Sequence, residues 1–564
     1  MRFFLVLLSF AGALEEEGRV VIEEAVGRTR RWVQKARTSD PVLELYFMVK
    51  HTNVDVLYET AKAVSDPRSP AYGSHLSLPE VEGLVAPRDE DVGAVLQFLE
   101  AFAPRASHGG SIVSAKVRAS DAERLFDATY HELHLGDHVV HRIVEGGYSL
   151  PASVAQAVDF VAPTVHLPPA KRVVKGGEKE KIPPLASEGK DDADEEEEGE
   201  EEAPEALRVK NTPTSLRELY NVSVAGLSAS NSMAVTAFLE QFYDESALEE
   251  YWDTYCDGIV CGDGLPKLVG DATTGNAGVE SMLDIETVTG VAGGVEAEFW
   301  GFSGRSPDNA ENEPFMKWLY LLGNTTNPPL VFSTSYGEDE SSWSPAAANR
   351  LNEEFAKVAT RGITLLYASG DEGANCEEGH DVFAPETPAS SPWVTAVGGT
   401  TGRPETAVGL STGGFSNYWG MPDYQVDAIR AYFAQPSYVP PLFAFNPAGR
   451  AFPDVSAQAT DFCVTPFGCT VAGTSCASPT VAGIVALLND LRLQQGKSPL
   501  GFLNYFVYQN AASFNDITQG KSYGCQDSTG KTADGWPATK GWDGVTGLGT
   551  PNYALLKDAV LQLP

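Results

Sequence analysis

The chain has 564 residues, 43% of them hydrophobic and 21% charged, proportions that support a sizeable buried core divided over two or three globular units. Its formal net charge is −37. Nucleic acids and anionic membrane surfaces are polyanions, so this charge argues against both as partners.

Taken in chain order, Arg2 followed by the apolar run Phe3–Leu8 and the small residues Ala11–Gly12–Ala13 reads as a signal peptide over residues 1–13. That run is far too short to span a bilayer and no later segment approaches the needed length, so no membrane span is expected. Residues 14–167 hold eight of the nine histidines, and Val42–Val49 shows the alternation of a strand. Val56–Val64 and Asp91–Phe102 have helical periodicity, so a small α/β unit is expected here. Residues 168–207 form a break. Pro168–Pro184 is rich in Lys, Gly and Pro, and Ser187–Glu205 carries twelve acidic residues against one lysine. Such a stretch cannot bury enough apolar surface to offset its ordering entropy, which makes it an exposed linker open to proteolysis.

Residues 208–564 alternate strands and helices. The strand runs are Met233–Leu239, Pro266–Gly270, Val295–Phe302, Leu330–Tyr336, Ile363–Ser369 and Trp393–Val397. Helical segments at Gly278–Gly290, Pro314–Leu322, Ala346–Thr360 and Ser475–Leu493 lie between and after them. The alternation implies a mostly parallel sheet with helices on both faces, a fold class that sets its reactive groups at the carboxyl ends of strands. All seven cysteines fall after residue 255. Cys256 with Cys261 and Cys463 with Cys469 are close enough to close small loops in an oxidising compartment. Zinc is the alternative, although no histidine neighbours them and no CxxC occurs. An odd count leaves one thiol over. Asn221 and Asn324 head glycosylation sequons.

Gly473-Thr474-Ser475-Cys476-Ala477-Ser478-Pro479 opens an apolar, small-residue helix. A serine in its first turn meets the positive end of the helix dipole and free N–H groups, which suits a nucleophile whose oxyanion the same donors stabilise. Plain helix capping is the simpler reading. The segment resembles the active-serine motif shared by subtilisins and sedolisins. A subtilisin-like protease needs a histidine, and after residue 166 the only one is His380, in an acidic loop. Glu280 and Asp284 stand four apart on a helix, so both carboxylates share one face. They resemble the Glu-x-x-Leu-Asp helix of sedolisins, matching at Glu280, Leu283 and Asp284. A glutamate there would act as base toward Ser475 while the aspartate orients it. Asp371 follows a buried strand in Ser369-Gly370-Asp371, and the resemblance implies an oxyanion-hole role for it. Glu372 departs from the small residue of the family. Asp371 must then keep a proton while Glu280 loses one, which implies activity at roughly pH 3–5 from the ordinary carboxyl values.

The same resemblance implies one calcium ion held by the carboxylates of Asp516 and Asp543 and the carbonyls of Ile517, Thr539 and Gly541, with Thr539 in place of a glycine. It extends to Ser65–Leu76, which is similar to the family's activation domain, a ferredoxin-like unit that folds against the protease and inhibits it, and to the stretches around Tyr336, Gly414 and Asp454. Cys376 and Cys525 match a disulfide of the lysosomal tripeptidyl-peptidase branch, and Cys476 is left as the unpaired thiol. The expectation is thus an acid serine-carboxyl peptidase acting on peptides or unfolded proteins and releasing amino-terminal tripeptides. It is expected to be made as a self-activating precursor and sent to a lysosome, a vacuole or the extracellular space. An acid endopeptidase and a non-catalytic secreted relative are the alternatives.

Overall fold

The computed structural model describes residues 18–25, 33–35, 39–135, 138–166, 209–307, 312–377, 381–436, 438–439, 441–527 and 529–564. The expected signal peptide, the linker at 168–207 and His380 lie outside the described residues.

The first unit is a four-stranded antiparallel sheet. Its strands are β1 (Val42–Val49), β2 (Arg105–Ser107), β3 (Ile112–Arg118) and β4 (Val158–Ala162), ordered β2-β3-β1-β4. The alternation of β1 explains its two faces: Leu43, Leu45, Phe47 and Val49 pack inward with Val95 and Phe126 of the unit's own helices. Met48 points the other way, with Ile112 and Phe160, into a core shared with the second unit. Helix α1 (Val54–Ser65) agrees with the expected helix. Helix α2 (Asp89–Phe98) stops short of residue 102, where the chain tightens into a 3₁₀ turn over Glu100–Phe102.

The second unit carries an eight-stranded sheet. In chain order its elements are β5 (Ser232–Ala237), β6 (Lys267–Gly270), α3 (Val279–Val291), β7 (Glu296–Gly301), α4 (Phe315–Asn324), β8 (Val331–Thr334), β9 (Glu338–Asp339), α5 (Pro345–Thr360), β10 (Thr364–Ala368), β11 (Glu386–Thr387), β12 (Thr395–Thr401), β13 (Thr406–Ala407), β14 (Val455–Gln458) and α6 (Thr474–Gln494). The sheet order is β6-β7-β5-β8-β10-β12-β13, with β14 also on β12. Every pairing is parallel except β12 with β13. Strand periodicity sends alternate residues to opposite cores. Val235, Val331 and Leu366 meet Met282 of α3 and Ile484 of α6, while Ala234, Phe332 and Leu365 meet Trp318 of α4 and Phe355 of α5. The fold is therefore the subtilisin-like α/β architecture with helices on both faces, preceded by the smaller unit. Strand β14 is not marked by an apolar run in the sequence, since Val455-Ser456-Ala457-Gln458 is half polar although all four residues are buried.

The two units are docked. Tyr58 of α1 stacks on Trp393 with centroids 5.7 Å apart, and Arg350 of α5 donates to the Val49 carbonyl at 2.8 Å. Disulfides join Cys256–Cys261, Cys376–Cys525 and Cys463–Cys469, which removes the zinc reading; Cys476 is free and buried.

Candidate active site

Helices α3 and α6 lie side by side with their amino ends together. Gly483 permits the approach, because a Cβ there would come within 2.9 Å of Val291. At the start of α3, the Glu280 N–H is held by Gln241 Oε1 at 3.1 Å, and Gly278 leaves that amide its space. Ser475 sits in the first turn of α6 and is 5% exposed. Glu280 is 3% exposed and Asp284 is fully buried one turn further along α3. The Ser475 hydroxyl lies within hydrogen-bonding influence of the Glu280 carboxyl.

Ser335, at the carboxyl end of β8, ties the two helices together. Its hydroxyl donates to Asp284 Oδ1 at 2.7 Å and also lies 3.5 Å from the Ser475 carbonyl. Asp371 follows the carboxyl end of β10. Its Oδ1 accepts the Thr474 N–H at 2.7 Å and faces the Thr474 hydroxyl at 2.9 Å. Its Oδ2 lies over Gly473, where a Cβ would be only 2.7 Å away. The structure thus brings buried Glu280, Asp284 and Ser475 together with half-buried Asp371 beside them. Glu372, next in the chain, stands exposed.

Burial dominates the electrostatics here. It raises Glu280 above the usual carboxyl range and above Asp371, with the Ser475 hydroxyl opposing the shift and the Asp371 charge adding to it, so burial alone does not set the order of ionisation expected from the sequence. Burial and then the charge of Glu280 push Asp284 well above that range. Asp371 is raised by burial to about 6 against the pull of both Thr474 donors. Glu280 Oε1 and Asp284 Oδ2 are both buried without a hydrogen-bond partner.

The carboxy-terminal residues form a separate cluster. Asp516 accepts from the Gly541 N–H at 3.0–3.1 Å, and Asp543, fully buried, accepts from the Thr539 N–H at 2.8 Å, so both carboxylates bracket one turn. The carbonyls of Ile517, Thr539 and Gly541 accept no hydrogen bond among the described residues, whereas the intervening Lys540 carbonyl is taken by Gln435. Thr539 does not adopt the left-handed backbone that would call for glycine. No cluster of three or more His, Cys, Asp or Glu side chains suited to a metal occurs among the described residues, so a cation here would need carbonyl ligands. Two carboxylates with three open carbonyls are a donor set that fits calcium.

Ser335, Thr474 and Gln241 hold the Ser475 site, yet no sequence argument assigned them a role. Ser335 at a strand's carboxyl end carried a usable positional signal; Gln241 carried none.

Residues 30–167 match the Pro-kumamolisin activation domain and residues 270–512 the subtilase family. Tripeptidyl-peptidase 1 of Rattus norvegicus is 35% identical over 551 residues, covering 93% of each chain. The Homo sapiens protein of that name is 35% identical over 553 residues with the same coverage. Among solved structures, Pseudomonas sedolisin complexed with two molecules of pseudo-iodotyrostatin aligns with a TM-score of 0.49 at 21% identity, over 63% of this chain and 99% of that one.

Proposed function

The chain belongs to the sedolisin family of serine-carboxyl peptidases, on its tripeptidyl-peptidase 1 branch, and from that premise we propose that Ser475, Glu280, Asp284 and Asp371 perform acid peptide hydrolysis. The observation that carries this is the burial of Glu280, Asp284 and Ser475 together at the amino ends of two helices, with half-buried Asp371 bonded to Thr474 beside Ser475. Glu280 takes the Ser475 proton as the hydroxyl attacks the scissile carbonyl, and Asp284, held protonated by burial, orients Glu280 and stabilises its charge. Asp371, kept neutral by burial, donates from Oδ2 to the developing oxyanion. The proton on Glu280 then passes to the leaving amine, and water repeats the sequence to release the acyl group.

Release of tripeptides is favoured over endopeptidase action by Glu338. It is 4% exposed, its Oε1 has no hydrogen-bond partner, and its carboxyl is held neutral by burial and by the neighbouring Glu313. Ser335, beside Ser475, is three residues upstream, a separation of about 10 Å along extended chain and equal to the length of a tripeptide. A substrate lying along this segment would bring its α-ammonium to Glu338.

The first unit, residues 14–167, acts as an intramolecular inhibitor and residues 168–207 are removed on maturation of the catalytic unit at 208–564. Delivery is through the secretory pathway to an acidic organelle or outside the cell. Asp516, Asp543 and the carbonyls of Ile517, Thr539 and Gly541 would hold a calcium ion, which when bound supplies charge neutralisation that fixes the carboxy-terminal loops. Acidification of the purified precursor tests the whole reading. Self-cleavage is expected in the wild type and not in Ser475→Ala; cleavage at equal rate in both would refute it.

A further inference from the structure

Thr474, the residue before the nucleophile, makes two contacts to the same oxygen of Asp371. Its N–H donates to Oδ1 at 2.7 Å, and its hydroxyl lies 2.9 Å from Oδ1. The hydroxyl is itself oriented by the turn, because it accepts the Gly370 N–H at 3.1 Å and has the Gly370 carbonyl at 3.1 Å as its other neighbour. A carboxylic acid is asymmetric: its carbonyl oxygen is the good acceptor and its hydroxyl oxygen the donor. An oxygen accepting a 2.7 Å bond from a backbone N–H is therefore the carbonyl oxygen. The other oxygen, Oδ2, lies against Gly473, the residue that leads into Ser475, and only a residue without Cβ leaves it that position.

We propose that Thr474 is a positioning residue that fixes the acid proton of Asp371 on Oδ2, so that the O–H is aimed at the oxyanion before substrate arrives. This rests on the reading of Asp371 as the oxyanion donor and adds to it which oxygen donates and why. The opposite arrangement, a proton on Oδ1 donated to the Thr474 hydroxyl, would leave the oxyanion facing a bare carbonyl oxygen.

The assignment has a signature that simple damage to the site lacks. The two Thr474 donors favour the ionised form of Asp371 against burial. Removing the hydroxyl should therefore lower kcat and at the same time carry the alkaline limb of the pH profile upward. In the matured enzyme, Thr474→Val should reduce kcat about tenfold, less than the loss expected for deleting an oxyanion donor outright. KM should stay unchanged, the alkaline limb should move to higher pH, and Thr474→Ser should restore both. An unchanged kcat, or a limb moved to lower pH, overturns the proposal. If Thr474→Val does not fold, Asp371→Asn decides. With Thr474 holding the amide oxygen at Oδ1, its NH₂ takes the donor position, and turnover should exceed that of Asp371→Ala at least tenfold and no longer fall with rising pH. Equal turnover in the two variants overturns the proposal. Turnover surviving in Ser475→Ala would instead remove the underlying reading of the site.

Discussion

The Arg492 guanidinium lies over the ring of Tyr72, 5.6 Å from its centroid. Arg492 stands near the carboxyl end of α6, the helix whose first turn carries Ser475, and Tyr72 belongs to the first unit. The docked unit therefore grips the far end of the nucleophile's own helix.

His75, three residues after Tyr72, makes that grip sensitive to pH. A Cβ on Gly362 would lie 2.2 Å from its Nδ1 and one on Gly501 3.0 Å from its Nε2, so the ring is wedged between two glycines, and its Nε2 has no hydrogen-bond partner. The charged group facing it is Arg492. Burial first, and then that cation, lower its pKa from 6.5 to about 4. His51, among Glu353, Glu354, Arg350 and Lys357, is lowered to about 2, and His166, beside Arg142, to about 3, in both cases chiefly by burial. A group whose docked pKa lies below its free value binds fewer protons when docked. Its stabilisation is complete above pH 6.5 and is lost as pH falls through 6.5 toward 4 for His75. In His75→Gln the ring cannot charge, and the pH midpoint of precursor self-cleavage should drop by about half a unit. A midpoint that stays put or rises would contradict this role for His75.

Activity should require a proton on Asp371, whose pKa burial raises to about 6. Turnover of the matured enzyme should accordingly fall as pH rises through about 6, and the limb should be absent from any variant that replaces the carboxyl by an amide. Ser475→Ala and Glu280→Gln should each cost at least about a thousandfold in kcat, and the double variant little more than either, because the two residues act as one unit. Additive losses in the double variant would separate them.

The reach of the sequence is uneven for physical reasons. The strands around Val235, Phe332 and Leu366 announce themselves because a parallel sheet buried on both faces needs continuous apolar runs. The Glu280–Asp284 spacing was legible because helical geometry alone puts the two on one face. Gln241 was not legible, since a glutamine in a loop acquires meaning only from what the fold sets across from it, and Ser335 offered only its place at a strand's carboxyl end. Tyr72 and His75 were legible only as part of the Ser65–Leu76 resemblance and not in their pairing, as their partners Arg492 and Gly362 lie hundreds of residues away.

Removal of calcium should destabilise the catalytic unit without touching the reacting groups. At a free ion concentration of about 100 times Kd the bound cation contributes about 2.7 kcal/mol. For a unit of this size that corresponds to a fall in Tm of roughly 3–4 °C on chelation. Asp516 is the cleaner residue to alter, because it is exposed and among the described residues it accepts only from the Gly541 N–H, whereas Asp543 also holds the turn at Thr546. Asp516→Asn should melt where the chelated wild type melts and should not respond to chelator. A further drop on adding chelator to Asp516→Asn would place the cation elsewhere.

Glu338 should decide the choice of substrate end. An ammonium arriving beside the Glu313–Glu338 pair would ionise a carboxyl that burial otherwise keeps neutral, turning a buried polar group without a partner into a charge-assisted hydrogen bond. Glu386, on the paired strand β11, packs its carboxylate directly under Gly370, the residue before Asp371. An acetylated amino terminus has no charge to offer and would leave Glu338 unpaired, which for a buried group costs more than the simple loss of a contact. Peptides with a free amino terminus should therefore be cut after the third residue with kcat/KM at least about a hundredfold above their acetylated counterparts, the usual scale for a missing charged hydrogen bond. In Glu338→Gln that ratio should collapse to below about ten while cleavage of acetylated peptides is preserved, since the amide keeps the shape but not the charge. Equal rates on blocked and unblocked peptides in the wild type would favour endopeptidase action and leave Glu338 as a structural acid of β9.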